Sequence, residues 1–426
     1  MLDTIVALLK EAGVHAWELS DVRTRGWEFY FIRHQLDQNR AKDVESIQLK
    51  VYQLLEDGQF MGSASAELPP SATEAEARKL IADLAYRATL VKNKPYSLNP
   101  PRAGEPMNAP VDPAAIAGDF LRAMRDLPET EGEDVNSYEI FVSDKTRRFL
   151  NSEGVDITER YPDSMIEVVV NARKDGHEIE LYRNFCSGTC DAEGLRRDLV
   201  KAMAYGRDRL RTRPTPNLGT ADVLFSGADA CSIYDYFVDR CNASMVVRRL
   251  SDWEVGKPIA EEICGDRVTV TACRELKNSS RNRGFDAEGA PIRDACLIRE
   301  GVVEEILGGR MFSSYLGLEN SFSPTNIQVS GGTRTEEELR RGPYLEAVEF
   351  SDFQVDPMTG DIFGEIRLAY WHDGETVTPV SGGSVSGSMH DFVKELYMSR
   401  EQTQYDNMRI PALTLLKNVT VTGAEG

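Results

Sequence analysis

The 426-residue sequence contains no apolar run approaching the roughly 20 residues that cross a bilayer. Its opening stretch, "MLDTIVALLKEAG", carries Asp3 where a signal peptide carries lysines, so the expectation is a soluble, cytoplasmic chain without a membrane partner. Histidine is scarce. The five, His15, His34, His177, His372 and His390, share no helical turn, which argues against a zinc site built on two imidazoles of one helix. No G-x-x-x-x-G-K-[ST] loop is present to cradle a phosphate. The G-x-S-x-G elbow of a serine nucleophile is missing too, because Gly383-Ser384-Val385-Ser386-Gly387 has its serines at other positions beside His390. Seven cysteines, an odd number without framework spacing, fit a reducing compartment. Cys186 and Cys190 form a C-x-x-x-C without a second pair, a weak metal signal. Basic charge is also short: 49 Lys and Arg against 69 Asp and Glu give a net charge of −20, which disfavours nucleic acid as a direct partner.

A chain of this length suggests two domains. In "LDTIVALLKEAG", Leu2, Ile5, Val6 and Leu9 form the stripe of a short helix closed by Gly13. Alternating strands follow in "WEFYFIRH", "VESIQLKVYQLL" and "FMGSASAEL", with "EDGQ" as a turn. Thr73 and Glu76 then make a capping box for a helix whose Leu80, Ile81, Leu84 and Ala88 face a sheet. Residues 92–113 carry prolines at 95, 100, 101, 106, 110 and 113 and read as an extended connection. The order helix, strands, helix then repeats before residue 212. Beyond the break "RTRPTPNLGT", short alternating runs predominate, with hairpins around Glu300-Gly301 and Asp373-Gly374. The expected fold is α+β in two domains, an N-terminal sheet-and-helix domain over 1–212 and a mainly β domain over 219–426.

The stretch "SIYDYFVDR" (232–240) draws attention because Asp235 and Asp239 stand four residues apart on a helix. On a helical wheel Ala230, Ile233, Tyr234, Phe237, Val238 and Cys241 form one buried stripe, with Ser232, Asp235 and Asp239 opposite. Ser226 and Asp229 have the spacing of a capping box. The two carboxylates repel by about 0.2–0.5 kcal/mol, which water, Arg240, Arg248 or a bound cation could relieve. A calcium-like ion wants six to eight oxygens, and this face offers two side chains. A solvated helix face and a metal or acid/base pair therefore both stand open.

Four stretches, "GSASAEL", "FLNSEG" with "ITERYPDSMIEVVV", "RGFDAEGAPIRDACLIREGVV" (283–303) and "NIQVSGGTRTEEEL" (326–339), together with the ending from "GEIRLAYWHDGETVTPV" to "IPALTLLKNVTVTG", resemble the TldD/PmbA family, also called the modulator-of-DNA-gyrase family. The resemblance runs from about residue 15 to residue 422. It implies a two-domain α+β subunit that dimerises and encloses a channel for unfolded peptide. The TldD-like branch is a metallopeptidase with H-E-x-x-x-H on a helix and a cysteine ligand near its C-terminus; the TldE/PmbA-like branch lacks these and serves as partner. In this sequence Tyr234 stands at the first histidine, Asp235 at the glutamate and Asp239 at the second histidine, and no cysteine occurs from Glu401 to Gly426. The resemblance therefore implies a TldE-like subunit without cofactor or metal ligands, inactive alone, whose partner is a TldD-like metal-bearing chain or a second copy. The family's activity is tied to peptide maturation, antitoxin degradation and an indirect effect on gyrase. Candidate groove residues are Arg283, Asp286, Glu288, Ser330, Gly331 and Gly332, equally readable as turn chemistry, with positive φ at the two glycines and Asp286 as a turn cap. The remaining alternatives are a stand-alone homodimeric peptide-binding protein and a divergent hydrolase holding a cation on Asp235 and Asp239.

Overall fold

A computed structural model describes residues 1–104 and 108–424; Pro106 of the proline-rich connection and the last two residues of the C-terminal domain lie outside the described residues. The N-terminal half repeats one unit. Helix α1 (Leu2–Glu11), strands β1 (Ala16–Ile32), β2 (Gln35–Leu55) and β3 (Phe60–Leu68), and helix α2 (Glu74–Ala88) form the first copy. After the short strand β4 (Arg102–Gly104), helix α3 (Pro113–Arg125), strands β5 (Glu133–Asn151), β6 (Val155–Lys174) and β7 (His177–Ser187), and helix α4 (Ala192–Arg209) form the second. Local chemistry sets the boundaries. Thr73 and Glu76 cap α2 reciprocally, Asp112 caps α3 ahead of Pro113, and Gly13 leaves α1 at φ +71°.

β1 and β5 pair antiparallel, so the two copies share one sheet ordered β3-β2-β1-β5-β6, with β4 and β7 both on β6. On β1, Trp17 and Leu19 pack with α1 and α2, while Trp27, Phe29 and Phe31 pack with α3 and α4. All are odd-numbered, which places both helix pairs on one face of the sheet. The even-numbered face is left for the other half of the chain.

That half begins with β8 (Arg213–Pro214), β9 (Gly219–Phe225), α5 (Cys231–Arg240) and α6 (Ala243–Val247). It continues through β10 (Val270–Cys273), β11 (Ala295–Arg299), β12 (Val302–Val303), α7 (Arg310–Tyr315), β13 (Asn326–Val329) and α8 (Glu336–Leu339). Strands β14 (Tyr344–Val355), β15 (Asp361–His372), β16 (Val377–Ser381) and β17 (Ser384–Ser388), helix α9 (Met389–Phe392), and strands β18 (Leu396–Met398), β19 (Gln402–Tyr405), β20 (Met408–Pro411) and β21 (Thr414–Thr422) complete it. One sheet runs β12-β11-β10-β13-β20-β19. In the other, β14-β9-β21-β17-β15 returns on itself through the β14–β15 pairing. The expected hairpins are present: Glu300 and Gly301 turn β11 into β12 with positive φ at both, and Asp373 Oδ1 accepts from the N–H groups of Glu375 and Thr376 between β15 and β16. The fold is α+β in two domains, a sheet carrying helices and a mainly β half. Helix α5 is packed into the β half's main core through Ile233, Tyr234, Tyr236 and Phe237.

Candidate functional site on helix α5 and the domain junction

Helix α5 begins without a side-chain cap. The expected Ser226–Asp229 box does not form: Ser226 lies at the end of β9, its hydroxyl reaching Glu346 at 3.4 Å, and a single 3₁₀ turn at Ala228–Ala230 leads into the helix. Tyr234 is fully buried, and its hydroxyl meets Thr414 Oγ1, itself fully buried, at 2.7 Å. Burial spreads further round the helix than the apolar stripe indicates. Tyr236 is covered by Trp253 and His390, both edge-to-face, and Arg240 is 4% exposed, donating to the Leu250 carbonyl at 3.1 Å and pairing with Asp252. A wheel counts only the residues of its own helix, and these covers come from elsewhere in the sequence.

This rearranges the electrostatics of the Asp235–Asp239 face. Arg240 is spent on Asp252, and Arg248 lies over the Phe312 ring at 5.0 Å, so neither relieves the carboxylates as expected. Partial burial, and then the charge of Asp239, raises the Asp235 carboxyl to about 6; burial raises Asp239 as well. From Cys231, on which Asp235 acts, and from Asp229 just ahead of the helix, further groups extend over elements that no motif connects. The Cys231 thiol is pushed up to about 12 by burial, with Asp235 and Asp229 adding to it. The Tyr405 hydroxyl of β19 is raised by burial and by Cys231 and Asp198. Arg183 of β7, paired with Glu349, opposes the burial-driven rise at Asp229. Sequence reasoning missed Asp198, Arg183 and Tyr405, whose only common property is position in space.

A metal does not fit this donor set. Tyr234 is spent on Thr414, Asp235 and Asp239 are the acids of the face, and no group of three or more His, Cys, Asp or Glu able to hold an ion occurs among the described residues. Cys186 is exposed on β7 beside Asn184, and the Cys190 thiol is raised to about 12 by burial. Between them, Gly188 and Thr189 dock on Asn278 of the other domain, which accounts for the segment structurally.

Asp235→Asn is expected to stabilise the protein at pH 7. A carboxyl raised in the folded state holds its proton there while the unfolded chain has lost it, so stability falls as pH rises from about 4 to about 6. The amide removes that loss. Because solvent reaches Asp235, the gain is on the order of 1 kcal/mol or less, read as a higher Tm at pH 7 and none at pH 4.

The six groove candidates fall into two groups. Arg283, Asp286 and Glu288 lie on one turn at the domain junction. Asp286, 3% exposed, accepts from the N–H groups of Glu288 and Ala290 at 2.9 Å each and of Ser323 at 2.9 Å, which is turn capping. The Arg283 guanidinium stacks 3.2 Å from the Tyr161 ring centroid. Arg147 of β5 donates to the carbonyls of Asp286 at 2.8 Å and Ala287 at 2.6 Å, and its partner Glu159 accepts from Gly284 and Phe285 at 2.8 and 3.0 Å. The sheet face opposite the helices, odd-numbered on β5 and β6, thus grips this turn.

Ser330, Gly331 and Gly332 follow β13. Neither glycine has positive φ, contrary to the turn reading. A Cβ on Gly332 would lie 2.2 Å from the Met398 carbonyl oxygen, so glycine is needed there for close approach to β18. Met398 pairs with Thr414, the partner of Tyr234, so this segment reaches α5 from its buried side and not from the Asp235 face.

A family model described as PmbA/TldA metallopeptidase C-terminal domain matches residues 218–423. An uncharacterized protein of Methanocaldococcus jannaschii is 21% identical over 285 residues, 62% of this chain and 64% of that protein, so less than two thirds of its length is spanned. Across 99% of this chain the fold is similar to TldE from Thermococcus kodakarensis (TM-score 0.78, 16% identity, 100% of that chain). It is also similar to two candidate modulators of DNA gyrase, from Thermotoga maritima (TM-score 0.75, 16% identity, 99% of that chain) and Bacteroides thetaiotaomicron (TM-score 0.77, 15% identity, 99% of that chain). Residues 218–423, the part of the chain that holds α5, thus match the PmbA/TldA metallopeptidase C-terminal domain, and the chain as a whole shares the fold of these solved structures.

Proposed function

We propose that this chain is the TldE-like, non-metal subunit of a TldD/TldE-type peptidase assembly that acts on unfolded peptides. A TldD-like partner supplies the metal and the hydrolysis, and this chain completes the enclosure and helps hold the substrate. The observation that carries the reading is α5 itself, where the two histidine positions hold a buried, hydrogen-bonded Tyr234 and the acid Asp239. A free strand edge supports the peptide part. Strand β3 pairs with β2 only from Ile47 to Leu55, so along residues 35–46 the outer edge of β2 has no strand partner among the described residues. An extended peptide can add there through its backbone, whatever its side chains. With a net charge of −20, a link to gyrase would run through peptide turnover and not DNA contact.

Co-expression with the metal-bearing homologue of the same genome tests this. The two chains are expected to copurify, and adding this chain to the homologue should raise cleavage of an unstructured peptide. Failure to copurify, or stoichiometric divalent metal retained by this chain alone after chelator-free purification, would sink the proposal.

A further inference from the structure

A hollow of about 260 Å³ opens between the two domains, lined by Lys50, Tyr52 and Met61 of the N-terminal sheet, Tyr96 of the connection, Glu288 of the junction turn and Phe312 of α7. Its walls are aromatic. The Tyr52 and Tyr96 rings meet edge-to-face at 6.1 Å, Tyr96 and Tyr315 at 6.2 Å, and Tyr315 and Phe312 at 6.1 Å.

Glu288 is only half answered. Glu288 Oε2 accepts from the Arg310 N–H at 2.6 Å, while its second oxygen has no donor among the described residues. Glu18, 7% exposed, accepts from the Tyr52 hydroxyl at 2.6 Å, and burial raises its carboxyl, with Glu288 and Asp286 nearby adding to the rise. Lys50 Nζ answers Glu18 at 3.7 Å and lies 4.9 Å from the Tyr52 ring centroid, while Lys94 stands 5.4 Å from the Tyr315 centroid and Arg248 5.0 Å from that of Phe312. Capping Arg310 explains one oxygen of Glu288; it explains neither the free oxygen nor the space in front of it.

A carboxylate oxygen without a donor among the described residues, set close to the Tyr96 ring, attracts a cation, because the ring quadrupole and the charge act in the same sense. The volume is below the roughly 300–1,000 Å³ of pockets for drug-sized ligands, which suits a group the size of one residue. We infer that this hollow binds the ammonium end of an amino acid or short peptide, with the nitrogen between Glu288 and the aromatic arc and the side chain among Met61, Met311 and Phe312. Every contributing residue belongs to this chain, so the site does not depend on the subunit role.

Calorimetric titration of the full chain with leucinamide, N-acetyl-leucinamide, leucine and trileucine amide tests it. Leucinamide is expected to bind saturably, and the acetylated compound, which lacks the charge, at least about tenfold more weakly. Glu288→Gln keeps an acceptor for Arg310 and removes the charge, and should weaken leucinamide by about tenfold or more. Met311→Trp fills the hollow with the charges kept and should abolish binding. Melting curves of both variants show whether a loss reflects unfolding, and either variant decides if the other does not fold. Trileucine amide binding as tightly as leucinamide makes a peptide N-terminus the occupant; leucine binding with the peptide excluded makes it a free amino acid. No saturable binding of any amine, equal binding of the acetylated compound, or binding untouched in both folded variants overturns the inference.

Discussion

Replacing Arg147 by alanine is expected to cost about 3–5 kcal/mol, because it strips the partner from a buried carboxylate. The Arg147 side chain is 11% exposed and that of Glu159 is 3% exposed, on adjacent strands of the sheet face opposite the helices. The guanidinium fork serves Glu159 at 3.3 Å and two carbonyls of the junction turn, a geometry that lysine cannot reproduce. Arg147→Lys should therefore recover only part of the loss. Removing both charges, as Arg147→Met with Glu159→Met, should not restore stability either, since the Gly284 and Phe285 N–H groups then lose their acceptor at about 1–3 kcal/mol each. Chemical denaturation of the variants, with amide exchange followed over residues 283–290, reads the effect. A loss under about 1 kcal/mol would show that the pair is wet and the junction loose.

What was legible in the sequence was local chemistry. The Thr73–Glu76 box, the Gly13 stop, and the hairpins at Glu300-Gly301 and Asp373-Gly374 are each decided within a few residues, so composition and spacing suffice. Asp286 is a partial case: its turn-capping role could be read from the F-D-x-E-G spacing, but its third donor, Ser323, is contributed by a distant segment. The failures have one cause. Arg240 looked free to neutralise Asp235 and Asp239 until the loop carrying Asp252 and Trp253 folded over it. Gly331 and Gly332 looked like turn residues because the strand that crowds them lies more than sixty residues on. The groups that act on Asp229, just ahead of α5, and on Tyr405, which Cys231 reaches from α5, come from β7 and α4, which only the domain arrangement brings together.

That contrast bears on what α5 is for, and a core substitution in it separates seat from chemistry. Phe237→Ala is expected to cost about 3–5 kcal/mol, the usual loss for a phenylalanine deleted from a close-packed core. Phe237 is fully buried, its ring 5.5 Å from that of Tyr236, 6.2 Å from Trp253 and 6.4 Å from Tyr234. The cavity would border the Tyr234–Thr414 contact and, through Met398, the segment Gly331–Gly332. Under the proposed role, loss of this seat lowers partner-supported peptide cleavage through loss of folded subunit, whereas Asp235→Asn and Asp239→Asn leave cleavage per assembled complex unchanged. A helix that still carried out hydrolysis would show the reverse ranking: the two amide variants would abolish turnover with the fold intact, and the non-metal subunit reading would fall with them.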